Sequence, residues 1–153
     1  MLFNNDNIVN KNLIKELNML LPFQFQLTSS EFDLKYHADL KVLNGNKTEY
    51  WLMRYRRLPR KDFTIRTMAK KYKSEFEKIY NNETLSKRYL FITLNELYKM
   101  HEIYIINIKR LSKNKAFLDY IYENQRKNEF VYITPSQLFE HNLIDYYINY
   151  KVL

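Results

Sequence analysis

The sequence predicts a mixed α/β (α+β) fold: an αβββαβ core with a mixed sheet, followed by further helices toward the C-terminus. Three observations carry that expectation. Leu13, Ile14, Leu17, Leu20 and Leu21 recur at helical spacing. Two strand-like runs flank Asn44-Gly45, a pair preferred in two-residue hairpin turns. A helical pattern over roughly 63–80 is then followed by RYLFITL, residues 88–94, which reads as a strand.

At 153 residues the chain is expected to be one domain over 1–153, large enough to bury a core without staples. With 46% hydrophobic and 27% charged residues, it has the balance of a globular chain rather than a disordered one. It has no cysteine, which excludes disulfides, thiolate metal sites and a cysteine nucleophile. No apolar run approaches the roughly 18 residues that a membrane span needs. The first ten residues lack the basic and apolar regions of a signal peptide. The expected location is cytoplasmic, with no membrane partner. Heavy use of Asn, Lys, Ile and Tyr beside one glycine points to an A/T-rich genome, such as that of a low-GC bacterium or its phages and mobile elements.

In chain order, Asn10 is expected to cap the first helix and Pro22 to end it. Phe23, Phe25 and Leu27 alternate with glutamines as a short strand, closed by Thr28-Ser29-Ser30. Residues 34–43 and 46–57 are expected to form a hairpin about Asn44-Gly45, pairing Leu40 with Glu49 and Ala38 with Trp51. In that register Leu34, Tyr36, Ala38, Leu40, Val42, Trp51, Met53 and Tyr55 share one apolar face. The opposite face carries Lys35, His37, Asp39 and Lys41 beside Tyr50, Leu52, Arg54 and Arg56. Asn95 is read as the cap of a helix running toward Leu111, and a shorter helix follows around 116–122. Phe130 to Ile133 reads as a strand. Thr134-Pro135-Ser136-Gln137 is a capping box with proline at the first helical position.

Charge is the sharpest compositional signal. The formal net charge is +8. Nine basic residues against one acid fall between Arg54 and Lys73, and the rest of the chain carries sixteen of each sign. The whole excess therefore sits in one stretch, which predicts an anionic partner. The candidate nucleic-acid-binding residues are Lys35, Arg54, Arg56, Arg57, Arg60, Lys61, Arg66, Lys70 and Lys73. Arginine suits bidentate contact with phosphate, and it is concentrated at 54–60. A single glycine rules out a glycine-rich phosphate loop, and no hydrolase, zinc-protease or dinucleotide motif is present. His101 and His141 are read as isolated residues on helices, without ligand partners at useful spacing.

The αβββαβ order over residues 10–94 resembles the core of the PD-(D/E)XK nuclease superfamily. There an acid on the second strand and a Glu-x-Lys on the third hold a divalent metal and activate water. The resemblance places the second-strand acid on Asp39, within Tyr36-His37-Ala38-Asp39-Leu40, and makes Asp39 the candidate catalytic residue. The third-strand positions fall on Leu52-x-Arg54 or Arg54-x-Arg56, so the carboxylate is missing; Glu16 or Asp33 would have to supply it. No metal ligand set is assigned, and Mg2+ enters only if the Asp39 site is active. The expected function is a nucleic-acid-binding protein of restriction-endonuclease-like fold, phage- or mobile-element-encoded and catalytically weak or inert. The alternative is a basic interaction or inhibitor protein that binds a host nucleoprotein or protein partner.

Overall fold

The computed structural model describes residues 4–36, 38–61, 63–66, 87–117, 119 and 130–150. Its described elements are α1 (Asn4–Leu20), β1 (Gln24–Leu27), α2 (Ser30–Tyr36), β2 (Leu40–Asn44), β3 (Lys47–Arg57), β4 (Phe63–Arg66), β5 (Arg88–Leu94), β6 (Met100–Asn107), α3 (Ile108–Lys113), β7 (Phe130–Ile133), α4 (Pro135–Glu140) and β8 (Ile144–Asn149). A six-stranded mixed sheet runs β1-β2-β3-β5-β6-β8, and β4 pairs with β7 in a separate two-stranded sheet. The expected mixed α/β fold is what the chain adopts. Strands β3 and β5 are parallel, and the other pairs in the sheet are antiparallel.

Alternation along the strands gives the large sheet two apolar faces. On one, Leu13, Ile14, Leu17 and Leu21 of the α1 segment bury against Leu40, Val42, Trp51, Met53, Leu90, Ile92, Leu94, Ile103 and Ile105. On the other, Leu52, Tyr89, Phe91, Tyr104 and Ile106 pack with Leu111, Phe117, Ile133, Leu138 and Leu143. Both faces of β5 and β6 are covered, so these strands are buried along almost their whole length.

Several local expectations need correction. Helix α1 starts at Asn4, so Asn10 is not its cap but a fully buried residue inside it, and Leu20 is exposed. The hairpin turns at Gly45-Asn46, not Asn44-Gly45: Asn44 pairs with Lys47, and Leu40 with Trp51 rather than Glu49. Gly45, at φ +62°, takes the first central position, where a II′ turn places its glycine. The register moves by two residues, an even step, so each side chain keeps its face. Trp51 is accordingly fully buried, opposite Leu40 instead of Ala38.

The expected strand over 34–39 is also overturned, because residues 30–36 form α2. Ser29 Oγ accepts the Phe32 amide at 3.1 Å, Glu31 and Asp33 lie in the first turn, and Lys35 lies in the last. A side-chain cap and charges matched to the helix dipole favour the helix. Residues 63–66, expected to begin a helix, are strand β4. The rest of that expected helix, 67–80, lies outside the described residues, as does His37. Finally, the expected helix from Asn95 toward Leu111 is instead a tight loop followed by β6, with the helix α3 only from Ile108. Asn95 Oδ1 accepts the amides of Leu97 and Lys99, which ties the loop rather than starting a helix. Asn107 caps α3 through the Arg110 amide. Strand β8, at the end of the sheet order, was not foreseen. The 130–133 strand and the Thr134 capping box stand as expected.

Candidate functional site

The polar side chains gather on the face opposite α1, toward the carboxyl ends of the parallel strands β3 and β5. Strand register sets them in rows. Arg54 lies beside Phe91, then Tyr104, then Tyr147; Arg56 lies beside Thr93, then Glu102, then Asn149. Asp39 flanks the first row on the β2 side.

Asp39 is held by backbone on both sides. Its amide donates to Trp51 O at 3.0 Å, and its carbonyl accepts the Thr28 amide at 3.0 Å. Oδ2 accepts the Met53 amide at 2.8 Å and the Arg54 guanidinium at 3.1 Å, while Oδ1 is buried without a hydrogen-bond partner. Burial pushes its carboxyl up to about 6; Arg54 and the Met53 amide pull it down, and the charge of Asp33 pushes it further up. Of the carboxylates that could complete a metal site, Asp33 is thus close enough to be felt. Glu16 is not: its charge acts on Tyr150, on the α1 side of the sheet.

A second buried acid, Glu102, was missed by sequence reasoning. Tyr104 and Tyr147 donate their hydroxyls to Oε2 at 2.5 and 2.7 Å. Lys61 Nζ and His101 Nδ1 each lie 3.3 Å from Oε1. Thr93 Oγ1 accepts its amide at 3.0 Å. Burial disfavours the charge, but the two tyrosine hydroxyls and Lys61 outweigh it and hold the carboxyl below the usual glutamate range. Burial and this carboxylate together push the Tyr104 hydroxyl up. A β-bulge builds the cluster. Thr93 pairs with Glu102 and Leu94 with Met100, so His101 is the extra residue, and its side chain is brought near the carboxylate of the next residue. A glutamate set before the apolar run Ile103–Ile106 was the readable signal, since an acid seldom sits in a buried strand unless it is paired. The bulge itself leaves no mark in the sequence.

His101 is only 8% exposed, and neither ring nitrogen has an aligned hydrogen-bond partner. It lines a cavity of about 780 Å³ whose wall is formed by Leu58, Pro59, Leu97, Met100 and Tyr150 among others. The cavity lies beyond the carboxyl ends of β3 and β5. His141, by contrast, ends α4 and packs its ring on Phe117.

The basic stretch divides in two. Arg54 and Lys61 are engaged by the buried acids Asp39 and Glu102. Arg57 and Arg60 are exposed and Arg56 is half-buried, at and just beyond the end of β3. The Arg57 guanidinium lies 4.8 Å over the ring of Tyr98. Lys35 is exposed on α2, not on a strand; its helix is fixed to the sheet by Phe32 stacked on Tyr50. Arg66 is in β4, and Lys70 and Lys73 lie outside the described residues.

Among the described residues, no group of three or more His, Asp or Glu could hold a metal ion. Asp39 and Glu102 are separated by three strand spacings, roughly 14 Å, whereas the oxygen ligands of one hard cation lie within about 2–2.6 Å of it. They cannot share an ion. No described helix is long and apolar enough to cross a membrane. No family model, no curated protein and no solved structure matches this chain.

Proposed function

We propose that the protein binds nucleic acid through the phosphate backbone, at the carboxyl end of β3. One observation carries this reading: the chain's excess charge lies in a stretch whose described part is anchored by two buried acids, while Arg57 and Arg60 face solvent just beyond. Pairing Arg54 and Lys61 internally fixes the strand end and its loop. Arg57 and Arg60, exposed at and just beyond the strand end, carry guanidinium groups suited to bidentate phosphate contact. The order α1, β1, β2, β3, then β5 parallel beside β3, supports the nuclease-like resemblance, although α2 interrupts it and strand β4 stands where the core helix was expected to begin. The third-strand Leu52 and Arg54 argue for binding without metal-dependent cleavage.

The test is a salt titration of binding to duplex DNA and to RNA. Affinity should fall steeply, log K dropping by about 0.9 per duplex phosphate contacted for each tenfold rise in salt. Replacing Arg56, Arg57 and Arg60 by alanine should remove most of that slope, and replacing Lys11 and Lys15 on α1 should not. Equal effects from the two sets would overturn the assignment.

A second reading, binding to a protein partner, is favoured by an aromatic group on and beside β8. Phe139 and Tyr147 are exposed, with their rings edge-on at 5.5 Å. Aromatic residues of this kind are enriched at protein interfaces. Tight binding that ignores salt and survives the arginine substitutions would favour it.

A further inference from the structure

We propose that the cavity beyond β3 and β5 receives one unstacked base of a single-stranded nucleic acid. This rests on the nucleic-acid reading above and names the form of substrate that the site takes. The volume, about 780 Å³, falls within the range of small-ligand sites. Its wall combines apolar surface from Leu58, Leu97 and Met100 with the polar residues Asn95, Glu96 and His101. A wall that mixes apolar and polar side chains suits a ligand with hydrogen-bonding edges and a flat apolar body. A nucleobase has both.

The position of His101 adds directionality. Its Nδ1 side lies against the Glu102 carboxylate, and Glu102 is itself fixed by Tyr104, Tyr147 and Lys61. The imidazole that lines the cavity is thus backed by a carboxylate that is itself held in place.

Tyr98 stands in the loop that supplies Leu97 to the wall. It is half-exposed and holds φ +59°, a left-handed conformation uncommon for a bulky side chain. The loop maintains it: the Tyr98 amide donates to Asn95 O at 3.0 Å, while Asn95 Oδ1 takes two further amides. Strain kept in this way presents an aromatic ring with an arginine plane over it, next to the cavity. Unpaired bases stack on such surfaces, and duplex bases cannot reach them. The neighbouring Arg57 and Arg60 are then placed for the flanking phosphates.

The experiment compares a short single-stranded oligothymidylate, an oligouridylate and an abasic strand of the same length, each titrated by fluorescence anisotropy against the intact protein. The base-bearing strands should bind about tenfold more tightly than the abasic one, within the range of one stacked base. Tyr98→Asn keeps a residue that tolerates left-handed backbone, and His101→Asn keeps a polar group. Each should erase most of that difference. Arg57→Ala with Arg60→Ala should weaken all strands alike. Equal binding of base-bearing and abasic strands by the wild-type protein would overturn the base pocket and leave phosphate binding intact. A difference that survives both Asn variants would place base contact elsewhere and also overturn it. Failure to bind any strand or duplex would remove the nucleic-acid reading together with the pocket.

Discussion

Asp39 and Glu102 lie on the same face of the same sheet, each buried and each within reach of one cation, yet their carboxyls shift in opposite directions. Asp39 has Arg54 and a single backbone amide, both on one oxygen. Burial wins, and its carboxyl rises to about 6. Glu102 has two tyrosine hydroxyls in addition to Lys61, and hydrogen bonds win over burial. A buried acid is thus governed less by its nearest cation than by the number of donors aimed at the charged form. The two also differ in neighbours. Glu102 sits beside a cavity and a histidine, whereas Asp39 sits under a helix and against the hairpin.

The largest expected effect tests the frame that holds Asp39. Trp51 is fully buried between α1 and the sheet, edge-on to Phe23 and Phe25 at 5.3 and 5.4 Å. Trp51→Ala should cost about 3–5 kcal/mol in denaturant unfolding. A loss below about 1 kcal/mol would mean that the hairpin does not pack in this register, and the environment of Asp39 would have to be redrawn.

Next in size is pH. Asp39 binds its proton more tightly when folded, so the native state holds more protons between about 3.8 and about 6. Stability from this group is present below that window and is lost as pH rises through it, by roughly 3 kcal/mol for a two-unit shift. Asp39→Asn should flatten the decline between pH 4 and 7. An unchanged profile in the variant would show that Asp39 is not the buried acid that titrates.

Glu102 should behave in the opposite sense. Its lowered carboxyl contributes stability above the normal glutamate range, lost as pH falls below about 4.5. Tyr104→Phe removes the shorter hydroxyl contact without emptying space. It should cost about 1.5–3 kcal/mol near neutrality, as for hydrogen bonds to charged groups. The difference from wild type should shrink in acid. A penalty that persists at low pH would mean that Tyr104 acts through packing alone.

The contrast also explains what could be read from the chain. The even-step error in the hairpin left the faces of its paired residues right, so Trp51 was placed in the core although its partner was wrong. Asp39 was found because the resemblance in element order placed the second-strand acid there, although the run before it, residues 30–36, is helical. Glu102 was hidden because β6 is buried on both faces, and its apolar run carries no alternation to separate strand from helix. The tyrosines that hold Glu102 come from its own strand and from β8, forty-five residues away at Tyr147. Only strand pairing brings them together. Likewise Ser29 was read as closing a strand, when its hydroxyl starts α2.

The smallest expected effect bears on the nuclease resemblance. If Asp39 held magnesium, the ion would need at least one more carboxylate, and Asp33 is the described acid whose charge it feels. Arg54 already takes Oδ2 at 3.1 Å, and its positive charge opposes a cation at the same oxygens. The unpartnered Oδ1 is a single ligand, and Mg2+ gives up its own water reluctantly. Millimolar magnesium or manganese should therefore leave the melting temperature of the wild-type protein and of Asp39→Ala displaced equally, and neither should nick DNA or RNA. A metal-induced rise in Tm that disappears in Asp39→Ala, with nicking lost in the same variant, would show that Asp33 moves in to complete a metal site. In that case Arg54 would have to leave Oδ2, and Arg54→Ala should tighten metal binding. That pattern would reverse the ranking of the two carboxylates and make Asp39 the reactive one.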